Sequence, residues 1–212
     1  TVGYGLTETN AHGTNASGLL LYDRPSTAGF ATPFLNQIKI IDEDGAELDS
    51  GELGEVAIKS TCNFRCYLKN EEATNEVLDD QGWFRSGDVG IIDEEGFLYI
   101  KDRIKDIVIR GGENIACLEI EAAIYEHPSV REASVFGVPD ERLGEKLATR
   151  ISLNAGAELS QADLSSFLAE KIAKFKIPEY VWFQADELPK VAAGKIAKKE
   201  MREHAIKELE LN

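Results

Sequence analysis

The chain has 212 residues, enough for one large or two small domains, with 43% apolar and 29% charged residues, the composition of a folded globular protein. Its net charge of −15 opposes any partner held through a phosphate backbone, so nucleic-acid binding is not expected, while a small phosphorylated ligand at a locally basic site remains compatible. Cys62, Cys66 and Cys117 are an odd set without zinc-type spacing, and His12, His127 and His204 stand at no spacing that suggests a metal or a triad.

No apolar run is long enough to read as a transmembrane helix and none reads as a signal peptide, so we expect a chain without a membrane span and a cytoplasmic compartment that keeps the thiols reduced. The chain opens on Thr1, and its single methionine is Met201, which leads us to expect a portion of a longer protein.

In chain order, Thr1-Val2-Gly3-Tyr4-Gly5-Leu6-Thr7-Glu8-Thr9-Asn10 begins like a strand and is broken by glycines and hydroxyls. Gly3 and Gly5 would let backbone approach a ligand, Tyr4 could stack on a base, Thr7 could donate to a phosphate, and Glu8 could hold a hard cation. An ordinary glycine-rich turn fits the same residues, and the spacing is not a dinucleotide fingerprint. Residues 18–70 read as short strands punctuated by Pro33, Gly51 and Gly54, including 34–41, a turn at Asp42-Glu43-Asp44-Gly45, and 55–59; a small barrel or twisted sheet follows. Residues 70–80 predict a short acidic helix or turn.

The stretch 82–114 organises the chain. Gly90-Ile91-Ile92 and Phe97-Leu98-Tyr99-Ile100 flank Asp93-Glu94-Glu95-Gly96, which predicts a hairpin turn with Gly96 at positive φ. Asp88 follows Gly87, and its carboxylate, exposed at a strand edge, could accept from two neighbouring hydroxyls, as a ribose diol offers. Arg103 presents a fork of donors. A turn aspartate and a surface arginine are the plainer account of those two residues taken alone. Lys101-Asp102-Arg103-Ile104-Lys105-Asp106 carries five charges around one Ile, and we read it as a solvent-exposed joint between two packed units. Gly111-Gly112 predicts a sharp turn.

Beyond the joint, residues 118–125 predict a helix with Leu118, Ala122 and Tyr125 on one face and Ile120 and Ile124 beside it, stopped by Pro128. Strands are expected at 130–138 and 147–153. Ser160 with Asp163 predicts a capping box for a helix carrying Leu164, Phe167, Leu168 and Ile172, followed by a strand at 180–183. The order predicts a compact α+β domain with its helices on one small sheet. Leu188-Pro189-Lys190-Val191-Ala192-Ala193-Gly194-Lys195-Ile196 is not a Walker loop; it presents Lys195 on a flexible loop ahead of a helix reaching Leu211.

Taken together, Tyr4-Gly5-Leu6-Thr7-Glu8, Trp83-Phe84-Arg85-Ser86-Gly87-Asp88, Asp102-Arg103-Ile104-Lys105-Asp106 with Gly111-Gly112-Glu113-Asn114, and the segment from Pro189 to Lys195 resemble the adenylate-forming superfamily of acyl-CoA synthetases, luciferases and peptide-synthetase adenylation domains. The resemblance covers essentially the whole chain. It implies that residues 1–101 are the truncated end of the large AMP-binding domain, with a small barrel-like subdomain, and that 102–212 are the small C-terminal lid domain.

By the same resemblance, Tyr4 with Gly5 would face adenine, Thr7 the phosphates, and Glu8 a Mg²⁺. Asp88 and Arg103 would hold the ribose, with Ile100 beside the nucleotide. Lys105 would be the hinge, Gly111 and Gly112 would line the pantetheine channel, and Lys195 would act on the transition state. Ser86 stands where threonine is usual, and Ala193 where threonine or serine is common; neither change removes a charge. The Ser/Thr/Gly-rich triphosphate loop and most of the acyl pocket are not in the chain.

The implied function is part of an ATP-dependent carboxylic-acid:CoA ligase, with a fatty acid as the acid, inactive as this portion alone. The implied partners are ATP, CoA and the acid, together with an upstream part of the same protein. An adenylation domain that loads a carrier protein, or a non-catalytic interaction module that keeps the fold, are the alternatives.

Overall fold

The computed structural model describes residues 1–211, and the chain divides into two units, Thr1–Lys105 and Asp106–Asn212. In the first unit the strands are β1 (Val2–Tyr4), β2 (Thr14–Ala16), β3 (Gly29–Ala31), β4 (Asn36–Ile41), β5 (Gly54–Ser60), β6 (Trp83–Ile92) and β7 (Phe97–Arg103), with short helices α1 (Leu20–Asp23) and α2 (Glu71–Val77) between them. They form one seven-stranded antiparallel sheet in the order β1-β2-β3-β7-β6-β5-β4. Val56, Ala57 and Ile58 of β5 are all 0% exposed, so this strand is covered on both faces. Val56 and Ile58 pack with Ile40 and Leu98, and each such side chain stabilises the unit by roughly 1.5–3 kcal/mol.

The β6–β7 hairpin turns where the sequence predicts it. The Gly96 amide donates to the Asp93 carbonyl at 3.0 Å with Gly96 at φ +86°, and Asp93 Oδ1 accepts from the amides of Glu95 and Phe97 at 3.0 and 2.8 Å.

Two irregularities in this hairpin matter for the site. Along β5–β6 the register passes from Ala57 opposite Arg85 to Glu55 opposite Val89, so Ser86, Gly87 and Asp88 bulge, with Gly87 at φ +72°. Glu55 holds the bulge: one oxygen accepts from the Gly87 amide at 2.9 Å and the other from Arg85 Nε at 2.7 Å. Along β6–β7 the register shifts again between Val89 and Gly90, which leaves Asp88 opposite Arg103. The strand continues through Arg103, and Asp102 is 0% exposed. The joint at 101–106 is therefore not uniformly solvent-exposed as expected: Asp102 still belongs to the sheet, with one carboxylate oxygen accepting from the Arg103 amide at 2.8 Å.

The second unit holds β8 (Val108–Arg110), β9 (Glu113–Ile115), α3 (Cys117–Tyr125), β10 (Val130–Asp140), β11 (Gly144–Leu153), α4 (Gln161–Ala169), β12 (Tyr180–Gln184) and α5 (Lys198–Glu208). Its five-stranded sheet runs β10-β11-β8-β9, with β12 parallel to β11. Alternation along β10 divides the core: Ala133 and Val135 face Ile120 and Ile124 of α3 and Leu164 and Leu168 of α4, while Phe136 and Val138 face Met201 and Ala205 of α5.

The buried stripe of α3 is Cys117-Ile120-Ile124; Leu118 and Tyr125, expected on the packed face, are 41% and 46% exposed. Ser160 caps α4 as expected, accepting from the Asp163 amide at 3.1 Å. The helix ends at Ala169, so Ile172 packs from the following turn, and α5 ends at Glu208, short of Leu211. Among the described residues no helix is long and apolar enough to cross a membrane.

Candidate functional site

Tyr4 ends β1, Asp88 stands in the β6 bulge and Arg103 ends β7, and the sheet brings the three together. The Tyr4 hydroxyl donates to Asp88 Oδ2 at 2.6 Å, and Arg103 Nε donates to Asp88 Oδ1 at 3.2 Å. The Asp88 amide donates to Ser86 Oγ at 3.0 Å, so the hydroxyl in this motif braces the backbone of the bulge. The Asp88 carboxylate is not exposed at a strand edge as expected. Asp88 is 8% exposed, because the bulge turns it onto Tyr4. Burial, and then the Asp88 acceptor, push the Tyr4 phenol far above the usual tyrosine range, so it remains a donor at neutral pH. The Arg103 side chain is 57% exposed, which makes its ion pair a weak anchor and leaves guanidinium donors facing solvent.

Past Tyr4 the backbone tightens. A Cβ at Gly5 would lie 2.5 Å from the Ala11 carbonyl carbon, and one at Gly3 would lie 3.2 Å from the Thr14 carbonyl oxygen. The glycines expected to admit a ligand are needed first by the chain's own close approach. Thr7–Thr9 forms one 3₁₀ turn, with Thr7 exposed and Thr9 buried.

Glu8 is gripped twice by the 60s loop. Its carbonyl accepts from the Phe64 amide at 2.6 Å, and its Oε1 accepts from the Tyr67 hydroxyl at 2.8 Å. Burial and the Glu8 carboxylate push the Tyr67 phenol up to about 12. The Tyr67 ring lies tilted at 57° against Phe64 with centroids 4.8 Å apart, and Phe64 meets Phe84 edge-on at 5.7 Å. Tyr67, Phe64 and Glu55 are functional-looking supports that the sequence reading did not single out. Ile100 is half-buried opposite Gly90 and packs against the Val56–Ile58 cluster.

Among the described residues no group of three His, Cys, Asp or Glu could hold a metal. A lone carboxylate with a free oxygen suits a cation that keeps its waters and takes its other ligands from a phosphate-bearing substrate, as Mg²⁺ does. Glu8 Oε2 has no partner among the described residues.

In the second unit, Gly111 and Gly112 form the tip of the β8–β9 hairpin at φ +62° and +89°, both left-handed as a type I′ turn requires. Lys195 sits on a bonded hairpin and not on the flexible loop expected. Val191 donates to the Lys195 carbonyl at 2.8 Å, Gly194 donates to the Val191 carbonyl at 2.8 Å with φ +78°, and Lys190 pairs with Ile196 across the base. Lys190 is anchored to Glu132 and Glu187, both at 2.8 Å. The Lys190 ammonium, followed by the Leu188 amide, holds the Glu132 carboxyl below the usual range against the opposing effect of burial. Lys195 itself is exposed and has no ion pair among the described residues. Lys105 is exposed in the 3₁₀ turn Ile104–Asp106, where one unit ends and the other begins.

A family model described as AMP-binding enzyme matches residues 1–68, and one described as AMP-binding enzyme C-terminal domain matches residues 119–195. The chain is 41% identical over 201 residues to the long-chain-fatty-acid–CoA ligase FadD13 of Mycobacterium tuberculosis, covering 95% of this chain and 39% of that protein. It is 38% identical over 193 residues to the 2-succinylbenzoate–CoA ligase of Bacillus licheniformis, covering 91% of this chain and 39% of that one. Among solved structures, ATP-bound MatB from Rhodopseudomonas palustris superposes with a TM-score of 0.84 at 36% identity, covering 97% of this chain and 40% of the other. The MenE synthetase of Bacillus subtilis with its acyl-adenylate gives 0.87 at 32% identity, covering 94% and 40%. The chain thus spans about 39% of the length of these two ligases. With both family models in chain order and the four motifs in place, the chain belongs to the AMP-binding enzymes, the adenylate-forming superfamily.

Proposed function

We propose that this chain is the C-terminal portion of an ATP-dependent carboxylic-acid:CoA ligase, with the first unit closing the large AMP-binding domain and the second forming its lid. In the first half-reaction a carboxylate oxygen attacks the α-phosphorus of ATP, and the bond to the departing pyrophosphate breaks. In the second, the CoA thiol attacks the acyl carbon of acyl-AMP and AMP leaves. The observation that carries the reading is the Tyr4–Asp88–Arg103 cluster, assembled from three distant segments in a chain whose relatives are named CoA ligases.

In this reading Asp88 accepts from the ribose hydroxyls, with Arg103 beside it. The Tyr4 ring, carried next to Gly5, faces adenine, and Ile100 backs the nucleotide. Thr7 donates to phosphate, and Glu8 offers its free oxygen to Mg²⁺. When bound, that cation would offset phosphate charge. The Lys195 ammonium, projected from its hairpin and without a competing carboxylate among the described residues, meets charge growing on the carboxylate and α-phosphate oxygens. Gly111 and Gly112, having no side chains, leave room for the pantetheine arm. Lys105 is the pivot that lets the two half-reactions use different faces of the lid.

FadD13, named for long-chain fatty acids, supports a fatty acid as the substrate. The test is acid-dependent pyrophosphate exchange by the full-length protein across a panel of fatty and aryl acids, followed by thioester formation with CoA. We expect exchange and thioester with a fatty acid, and neither from the 212-residue chain alone. Exchange without transfer to CoA would overturn the ligase reading, and exchange by the isolated chain would overturn its dependence on an upstream part.

A further inference from the structure

Asp106, the first residue of the second unit, is held by side chains of that unit. The Cys117 thiol donates to its carbonyl at 3.0 Å, and the Lys198 ammonium lies 3.9 Å from its carboxylate and 3.0 Å from that of Glu121. Glu121 Oε1 also accepts from the Val135 amide at 2.8 Å, which ties the group to the middle of β10. Cys117 is 0% exposed, and the Lys198 and Glu121 side chains are 20% and 13% exposed.

Lys198 opens α5, the end of a helix where the macrodipole disfavours a cation. Burial also works against its charge, yet the Glu121 and Asp106 carboxylates raise its pKa above the usual lysine value. This ammonium is thus kept charged in a place that ordinary surface lysines do not occupy.

On the other side, Arg103 is tied into the first unit by the ladder pairing with Asp88 and by its Nε contact to the same residue. Between these two anchored positions stand Ile104, 46% exposed, and the exposed Lys105.

We infer that Lys198 is a positioning residue which, with Cys117 and Glu121, clamps Asp106 to the second unit and confines the backbone change of the joint to Ile104 and Lys105. The inference rests on the proposed pivot but stands on contacts inside the second unit. Lys198 lies just beyond the Lys195 hairpin, whose base is closed by the Ala197 amide donating to the Pro189 carbonyl at 2.8 Å. The clamp therefore carries Lys195 as one body with the C-terminal end of the joint.

Hydrogen exchange of the 212-residue chain, read by mass spectrometry over 104–110 alongside β10 and β11, tests this directly. Lys198→Met keeps the apolar stem and removes the ammonium. Exchange across 104–110 is expected to rise by up to about fivefold, the scale of one lost ion pair, while β10 and β11 keep their rates. Trypsin cleavage after Lys105 should accelerate in parallel, and Lys198→Arg should preserve the protection. Should Lys198→Met not fold, Asp106→Asn removes one arm and leaves the Lys198–Glu121 pair, with a smaller rise expected in the same window. Unchanged exchange over 104–110, or a rise shared equally by β10 and β11, overturns the clamp. Either result leaves the ligase reading untouched, because that reading is decided by pyrophosphate exchange in the full-length protein.

Discussion

Tyr4→Phe separates what the Tyr4 ring does from what its hydroxyl does. The ring remains, but Asp88 Oδ2 loses a 2.6 Å donor while the aspartate is 8% exposed. A hydrogen bond to a charged acceptor is worth about 1.5–3 kcal/mol, and the partial exposure of Tyr4 puts the loss near about 1.5 kcal/mol. For a unit of this size the urea slope is roughly 1–1.5 kcal/mol/M, so the unfolding midpoint of the first unit should fall by about 1 M.

The chain supplies its own reporters, since its two tryptophans, Trp83 and Trp182, lie one in each unit. In a Trp182→Phe background, Trp83 fluorescence reads the first unit alone. A shift of the Trp83 transition with an unmoved Trp182 transition in the complementary Trp83→Phe background is the expected result. A Trp83 midpoint that stays put would refute the claim that the phenol supports Asp88. On the proposed ligase reading, the same change in the full-length protein should raise the KM for ATP while leaving kcat nearly intact, because the ring proposed to face adenine survives.

Stability of the first unit should also depend on alkaline pH. The folded-state pKa of Tyr67 is raised from 10.0 to about 12 and that of Tyr4 is raised further, so both groups contribute fully below pH 10 and lose that contribution as pH climbs toward the folded values; Tyr67→Phe should flatten the decline of the Trp83 midpoint between pH 10 and 12. An equal slope in wild type and variant would count against the Tyr67–Glu8 bond. Lys195→Ala in the full-length protein should cut pyrophosphate exchange by roughly 10²-fold or more and spare conversion of supplied acyl-AMP to acyl-CoA; equal loss of both half-reactions would remove Lys195 from its role. Lys105→Pro fixes φ near −65° and biases Ile104 away from helical angles, so it should leave exchange near normal and abolish thioester formation, and thioester at the unmodified rate in a folded variant would show that the pivot lies elsewhere.

What could be read from the sequence follows the range of the forces involved. The Asp93–Gly96 turn, the Ser160 cap and the strands expected at 130–138 and 147–153 are set by residues within a few positions of one another, and each stands where the sequence puts it. The three-residue strands β2, β3, β8 and β9 are too short to show alternation, and only their partners make them strands. The same limit explains Asp88 and Asp102. Charge content alone places both at the surface, while a bulge held by Glu55 from the neighbouring strand buries one and the β6–β7 ladder buries the other.

The candidate site divides along the same line. Its motif residues are legible because they stand in short strings of particular side chains, which can be read without knowing what surrounds them. The supports are not, because a support is chosen by position in space. Tyr67 reaches Glu8 across 59 positions. Any residue able to donate from that point on the surface would serve, so no string marks it. Lys198 is the sharper case. As the first residue of a lysine-rich helix it looks like solvated surface, and only the arrival of Glu121 from α3 and Asp106 from the joint distinguishes it from Lys199, whose side chain is 92% exposed. Two adjacent lysines of the same type and helix thus differ in everything but sequence context, and the difference lies in which acidic groups the fold carries to them.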